Sequence, residues 1–560
     1  VKPTAEQEQA LALFQTGQAL AIEAGAGTGK TTTLKLLAES TRRRGQYVAF
    51  NKAIVVEAGA KMPSTVACRT AHSLAFRAVG VKYKSRLEAP RIRPVDIANR
   101  LHLDAVTVMV DGKPKTLAGG FLASRAMEAI TRFCQSADDA PSGRHVPYLD
   151  GIDPMVLGKR TYANNNLVRE HLEPHLEALW ADIQRTEGWV PFKHDHYLKL
   201  WQLRDPYIEA DFILFDEAQD ANPVLLAAIA AQKHCQLVFV GDSNQQIYEF
   251  TGAINALANV PVEHRTFLTQ SFRFGPAIAD VANGILETLQ ADLRLTGCDI
   301  PSRLATSMLS RPAAILTRTN AEAVRRLLDY QRSGIDAFLV GGAADVVAFC
   351  EAADRLQHGQ PASHPELACF DSWLEVKNFI AEGDGADLEL MVRLIDEHGA
   401  RPIITALTRM SREDEAEAVI STAHKAKGRE WASVQLAPDF SAKNGSDREG
   451  DAERRLLYVA VTRAREVLDV LGVRSLAERH GLIQPLPPQG IPELAPPVQA
   501  VQRPAAGRVS LIETCPTCGS DLGDGLMAEF RARKAPDDRR TCPDCPARLA
   551  PRHRTEALSA

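Results

Sequence analysis

The sequence predicts an α/β protein built on two parallel sheets, with helical insertions and a small cysteine-bearing tail. Three observations carry that expectation. Apolar runs recur between helical stretches: LAIEA (20–24), YVAFN (47–51), FILFD (212–216), QLVFV (236–240), AAILT (313–317), AVIST (418–422), SVQLA (433–437) and EVLDVLGV (466–473). Runs that stay apolar rather than alternating belong to strands covered on both faces, and there are enough for two sheets. A chain of 560 residues is also too long for a single core. Finally, seven prolines between 484 and 504 form a stiff linker, which sets the last residues apart from the rest.

Composition limits the function classes. At 45% hydrophobic and 24% charged residues, the chain reads as globular. No apolar run matches a bilayer span, and the first residues, VKPTAEQEQA, lack the apolar core of a signal peptide. No membrane partner is therefore expected, and the expected location is cytoplasmic, nucleoid-associated in a bacterial host. A net charge of −5 excludes a protein coated in basic residues, but phosphate contacts can be confined to one groove. Cys68, Cys134, Cys235, Cys298, Cys350 and Cys369 stand singly and read as buried thiols.

EAGAGTGKTTTL (23–34) follows a strand and opens a helix. Its turn, Ala24, Gly25, Ala26, Gly27, Thr28 and Gly29, lets backbone N–H groups surround phosphate oxygens where the helix N-terminus favours negative charge. Lys30 would reach the β- and γ-phosphates, Thr31 would ligate Mg²⁺, and Thr32 completes the cradle. Ala24 stands where the strict P-loop pattern has glycine. The stretch 82–205 reads as a mostly helical insertion. FILFDEAQD (212–220) then brings Asp216 and Glu217 to a strand's carboxyl end, where open α/β sheets bind ligands. Asp216 suits Mg²⁺, and Glu217 suits the orientation and deprotonation of an attacking water. Arg273 in LTQSFRFG and Arg463 in LLYVAVTRAR are candidate cations for transition-state charge. A second insertion, helical and partly acidic, runs from 356 to 415.

In the tail, CPTCG (515–519) and CPDCP (542–546) pair Cys515 and Cys518 with Cys542 and Cys545 across 23 intervening residues. Four thiolates in two CxxC knuckles suit tetrahedral, structural Zn²⁺. The intervening EFRARK and DDRR are mixed in charge, which leaves nucleic-acid contact and protein docking both open.

AGAGTGKT, DEAQD, VGDSNQQIY, LTQSFR, STAHKAKG and YVAVTRA occur in the order of superfamily 1 helicases of the UvrD/Rep type, which the chain resembles over roughly residues 1–475. FDEAQD, VGDSNQQIYEFTGAINAL, LTQSFRFG and HKAKGREW look like the helicase region of the F-box DNA helicases, although no F-box is recognisable here. The resemblance implies two RecA-like motor domains. Motor domain 1A would take 1–81 and 206–275 around insertion 1B (82–205), and motor domain 2A would take 276–355 and 416–483 around a reduced insertion 2B (356–415). A linker (484–510) and a zinc-ribbon tail (511–560) would follow. By the same resemblance, Gln7 reads adenine, Phe272 stacks on it, Glu430 lies on the nucleotide side and Gln245 senses the γ-phosphate. Asn51, Lys52, Thr70, His72, Tyr248, Phe250, Arg318, Asn320, Thr422 and His424 fall on strand-contacting motifs. The implied activity is that of an ATP-dependent 3′→5′ helicase working on single-stranded and tailed duplex DNA in repair or recombination control. Two other readings fit the same motifs: a translocase that strips proteins such as recombinase filaments from DNA, and a DNA-gated ATPase switch that recruits partners.

Overall fold

The computed structural model describes residues 2–473, apart from 50–51, 89–91, 111, 150–151, 154, 157–158, 248–254, 363, 365, 368–369, 371, 382–385 and 441–446. Asn51, Tyr248, Phe250, Cys369, the linker and the four tail cysteines lie outside the described residues.

Three strands open the chain, β1 (Leu20–Ala24), β2 (Gly45–Ala49) and β3 (Val66–Thr70). Two short antiparallel hairpins follow, β4 (Val106–Val110) with β5 (Lys113–Leu117) and β6 (Met155–Val156) with β7 (Lys159–Arg160). Strands β8 (Phe212–Phe215), β9 (Gln236–Gly241) and β10 (His264–Leu268) complete a six-stranded sheet in the order β10-β1-β9-β8-β2-β3, parallel throughout. The second sheet takes β11 (Arg303–Leu304), β12 (Ala314–Thr317), β13 (Ala337–Leu339), β14 (Ala418–Thr422), β15 (Trp431–Leu436) and β16 (Ala464–Asp469). Its order is β11-β16-β15-β12-β14-β13, again parallel.

Both sheets are covered on two faces, as their apolar runs require. Along β8, Phe212 and Leu214 enter one core while Ile213 and Phe215 enter another, the two-residue period of a pleated strand. Along β12, Ala314 and Leu316 divide from Ile315 in the same way. The order of the first sheet places the carboxyl ends of β1, β9 and β8 side by side, so the loops that follow them share one rim.

The 82–205 insertion is not wholly helical, since it includes the two hairpins. Its helix Gly119–Gln135 buries Leu122, Ala126, Ala129, Ile130 and Phe133 on one face, against the same core that lines the first sheet. Arg86 is buried beneath the end of the helix Ala163–Ile183. Its guanidinium donates to the carbonyls of Asp182 (3.2 Å), Ile183 (3.0 Å) and Val190 (2.7 Å), occupying acceptors that the helix leaves open. In the shorter insertion, the helices Trp373–Ala381, Ala386–His398 and Ala400–Thr408 share one core with Ile315 and Ile420 of the second sheet. Among the described residues, no helix is long and apolar enough to cross a membrane.

Arg86→Ala should strand the Ile183 and Val190 carbonyls in a buried site and cost about 3 kcal/mol. Denaturant titration should show an earlier unfolding midpoint, with only partial recovery in Arg86→Lys; an unchanged midpoint would mean that water caps the helix equally well.

Candidate active site between the two sheets

Strand β1 ends at fully buried Ala24, so the position without its expected glycine lies inside the strand and needs no unusual backbone. The glycines that matter come later: Gly27 and Gly29 have φ of +75° and +79°, and Gly29 caps the helix Lys30–Glu39. A side chain at Gly27 would come within 2.6 Å of the Cβ of Arg273. The turn is held from outside, because Ser271 Oγ donates to the Ala26 carbonyl (2.9 Å) and the Phe272 N–H to that of Gly27 (2.8 Å). Thr31 and Thr32 lie in the first turn of the helix.

Asp216 and Glu217 leave β8 on the adjoining rim. Asp216 is buried and accepts from Tyr47 Oη at 2.6 Å. Glu217 adopts a left-handed backbone, φ +54°, which a non-glycine residue holds only under constraint. That geometry sets its carboxylate 3.8 Å from Lys30 Nζ. Burial and the neighbouring Glu217 push the Asp216 carboxyl up to about 6. Burial acts on Glu217 in the same sense, but the charges of Lys30 and Lys427 outweigh it and hold that carboxyl low. Lys30 itself is raised; burial disfavours the ammonium, and the carboxylates of Glu217, Asp242 and Asp216 more than offset it.

Asp242 follows β9 and is fully buried, accepting from Gln245 Nε2 (2.6 Å), the Asn244 N–H (3.0 Å) and Tyr458 Oη (3.1 Å). Gln245 is where the two halves of the molecule meet. Its amide nitrogen holds Asp242, while its amide oxygen accepts from Arg463 Nη2 at 3.2 Å. Its backbone carbonyl accepts from Lys427 Nζ at 2.8 Å, and the same ammonium pairs with Asp220. Arg463 follows the helix Asp447–Val461 and is almost fully buried; burial and the charge of Arg273 pull its pKa down to about 9. Arg273 donates to Glu430 (2.9 Å) and to the Thr462 carbonyl (3.0 Å). From the same helix Tyr458 Oη also lies 3.4 Å from the Ala26 N–H of the glycine turn.

The sequence-derived candidates thus divide. Lys30, Asp216, Glu217, Gln245, Arg273 and Arg463 converge on one cleft. Gln7 and the half-exposed ring of Phe272 flank Gly29, and Gln7 donates to Thr33 Oγ1 at 3.2 Å. Glu430 reaches the cleft only through Arg273 and, at 3.8 Å, Arg465. The described strand-motif residues make other contacts. Lys52 opens the helix Lys52–Gly59, and Thr70 caps the helix Ala71–Ala78. His72 Nε2 stands 3.5 Å from Asp195 of the insertion. Arg318 is forked onto Glu453 at 2.6–3.0 Å, so its guanidinium is already paired. Asn320 begins the helix Asn320–Arg332, Thr422 ends β14, and burial and Arg318 hold the His424 imidazole below its ordinary value. Sequence reasoning gave no role to Tyr47, Asp220, Asp242 or Tyr458. Asp220 and Asp242 lie inside quoted motifs, and Tyr458 sits five residues before Arg463.

Two parallel sheets that close on a glycine-rich phosphate turn, an acidic pair and opposing arginines define a two-domain P-loop protein. Residues 7–251 match the family model described as an AAA domain, and residues 417–470 match that of the UvrD-like helicase C-terminal domain. F-box DNA helicase protein 1 of Schizosaccharomyces pombe is 32% identical over 498 residues, covering 81% of this chain and 55% of that protein. F-box DNA helicase 1 of Gallus gallus is 32% identical over 523 residues, with 84% and 49% covered. ATP-dependent DNA helicase UvrD2 of Mycobacterium tuberculosis is 23% identical over 620 residues, with 91% and 87% covered. The chain belongs to the UvrD-like helicases. It spans about half the length of the F-box relatives.

If Arg463 supplies charge to the transition state, Arg463→Ala should lower kcat for ATP hydrolysis by about 10³-fold or more, with a smaller change in nucleotide affinity. Steady-state turnover and nucleotide titration on one preparation check this, and an unchanged kcat would reduce Arg463 to a packing role.

Proposed function

We propose that the chain is an ATP- and Mg²⁺-dependent DNA translocase and helicase that moves 3′→5′ along single strands and opens tailed duplexes. The observation that carries this reading is the placement of Gln245. One side chain touches both the acid network beside the phosphate turn and the arginine of the opposite half, so occupancy of the cleft changes the contact between the halves.

The residues fit a nucleoside triphosphate. Gly27 and Gly29 hold the left-handed backbone of the turn, Lys30 lies at its base, and Thr31 and Asp216 offer hard oxygen ligands. Mg²⁺ held there would neutralise charge between the β- and γ-phosphates. Lys30 now pairs with Glu217, and a triphosphate competes for it. Released from that cation, Glu217 becomes a stronger base and can orient a water and take its proton. Arg463 and Arg273 face the developing charge. In this reading the two sheets are motor domains 1A and 2A, and Gln245 reports the nucleotide state. Tyr248 and Phe250, a few residues further along the chain, would stack on bases without regard to sequence.

Lys30→Ala should abolish DNA-stimulated ATP turnover, and Glu217→Gln should bind ATP yet hydrolyse it poorly. Unwinding and streptavidin-displacement assays on 3′- and 5′-tailed DNA test the rest. Displacement without unwinding would favour a protein-stripping translocase acting on targets such as recombinase filaments. DNA-stimulated hydrolysis with neither activity would favour a switch that recruits partners, and robust turnover by folded Lys30→Ala would sink the site.

We also assign one structural Zn²⁺ to Cys515, Cys518, Cys542 and Cys545, on the strength of their spacing. Metal analysis should find about one zinc per chain, lost on truncation after Val509 while ATP turnover persists. Zinc retained by the truncated protein would refute the assignment.

A further inference from the structure

Glu23 is a half-buried acid in strand β1, outside both the phosphate turn and the acidic pair, and withdrawing a carboxylate from water is costly unless it is well partnered. Its partner is a single residue. Oε1 accepts the Ser243 N–H at 2.7 Å, and Oε2 accepts the Ser243 hydroxyl at 2.8 Å. Ser243 opens the short 3-10 turn Ser243–Gln245, whose last residue carries the contacts to Asp242 and Arg463. The same hydroxyl lies 3.3 Å from Oδ1 of Asn255, the residue before the helix Ala256–Asn259, so its single proton can go to Glu23 or to Asn255. One carboxylate thereby holds both the N–H and the hydroxyl of Ser243.

We propose that Glu23 is a positioning residue that locks the Ser243–Gln245 turn to the strand leading into the phosphate turn, so that Gln245 is displaced together with that turn. The proposal rests on the reading of Gln245 as the coupler between nucleotide and DNA. An apolar residue at 23 would leave the Ser243 N–H without its acceptor and release the hydroxyl to Asn255. Burial and the nearby Asp242 carboxylate raise the Glu23 carboxyl to about 7, against the hydrogen bonds from Ser243 and the charge of Lys30. The clamp survives protonation on the same geometry. The acid O–H can donate to Ser243 Oγ, which then donates to Asn255, and the amide of glutamine at position 23 would reproduce that arrangement.

The test compares wild type, Glu23→Ala, Glu23→Gln and Ser243→Ala by melting temperature, amide exchange over residues 243–245 and DNA-stimulated ATP turnover. In Glu23→Ala, exchange should quicken and DNA-stimulated kcat should fall, each by about ten-fold or more, the size expected for a lost charge-assisted hydrogen bond. Its KM for ATP should move by less than about two-fold, since no phosphate contact is removed. Glu23→Gln should recover most of both losses, and Ser243→Ala, which keeps one of the two bonds, should show the same pattern at smaller amplitude. Normal exchange and stimulation in folded Glu23→Ala, or in Ser243→Ala should the former not fold, would overturn the proposal. So would equal losses in the alanine and glutamine variants accompanied by lower melting temperatures, the mark of a merely structural acid. A wild-type protein without DNA-stimulated turnover would remove the helicase reading instead, and the exchange comparison would then decide the clamp by itself.

Discussion

The arrangement depends on one buried polar network. Asp242, Gln245, Tyr458 and Arg463 lie between the two sheets with almost no solvent contact, and each satisfies a neighbour that would otherwise be stranded. In so dry a site an unpaired charge is expensive, whereas a fully paired set strengthens every member. The two halves are therefore joined by contacts that hold only in one geometry. An apolar interface would slide, but this one is either matched or broken. That property suits a cleft whose two walls must answer to a ligand.

The interior of each sheet was legible in the sequence, and the edges were not. The eight apolar runs correspond to β1, β2, β8 and β9 in the first sheet and β12, β14, β15 and β16 in the second. These are the four inner strands of each sheet. The unseen strands β3, β10, β11 and β13 are all at edges. VACRT and HRTFL mix polar and apolar residues because an edge strand has one neighbour and buries less of itself. The hairpins of the 82–205 insertion escaped for a related reason: β5 is KPKTL, exposed at every position but the last. Such segments owe their form to pairing with a partner strand rather than to a pattern of their own.

The site shows the same division. Residues fixed by local geometry were readable: a glycine turn before a helix, acids at the end of an apolar strand, an arginine after the apolar run that ends a helix. Residues whose role comes from a distant partner were not. Tyr47 precedes Asp216 by 169 positions, and Tyr458 follows Asp242 by 216, so no spacing rule connects them. Resemblance placed Glu430 on the nucleotide side, yet its contacts run to Arg273 and Arg465. It also made Arg318 a strand contact, where the fold gives it a carboxylate fork on Glu453. For Arg318 to reach a phosphate it must exchange one anion for another, an exchange that favours the strand only where several phosphates are engaged at once.

Charge balance around the cleft explains why nucleotide and divalent cation would have to arrive together. Glu23, Asp216, Glu217, Asp220 and Asp242 supply carboxyl groups, while Lys30, Lys427, Arg273 and Arg463 supply cations, with Arg273 already answering Glu430. Acid is in excess. The carboxyls of Glu23, Asp216, Asp220 and Asp242 are all raised, first by burial and, for the first three, also by a neighbouring carboxylate, against the nearby lysines. A bare triphosphate would add negative charge to a site that resists the charge it already has. A divalent cation held beside Asp216 would offset that penalty while Lys30 turns from Glu217 to phosphate. A requirement for a cation in the cleft would therefore follow from the acids that the fold gathers there, before any step of hydrolysis is considered.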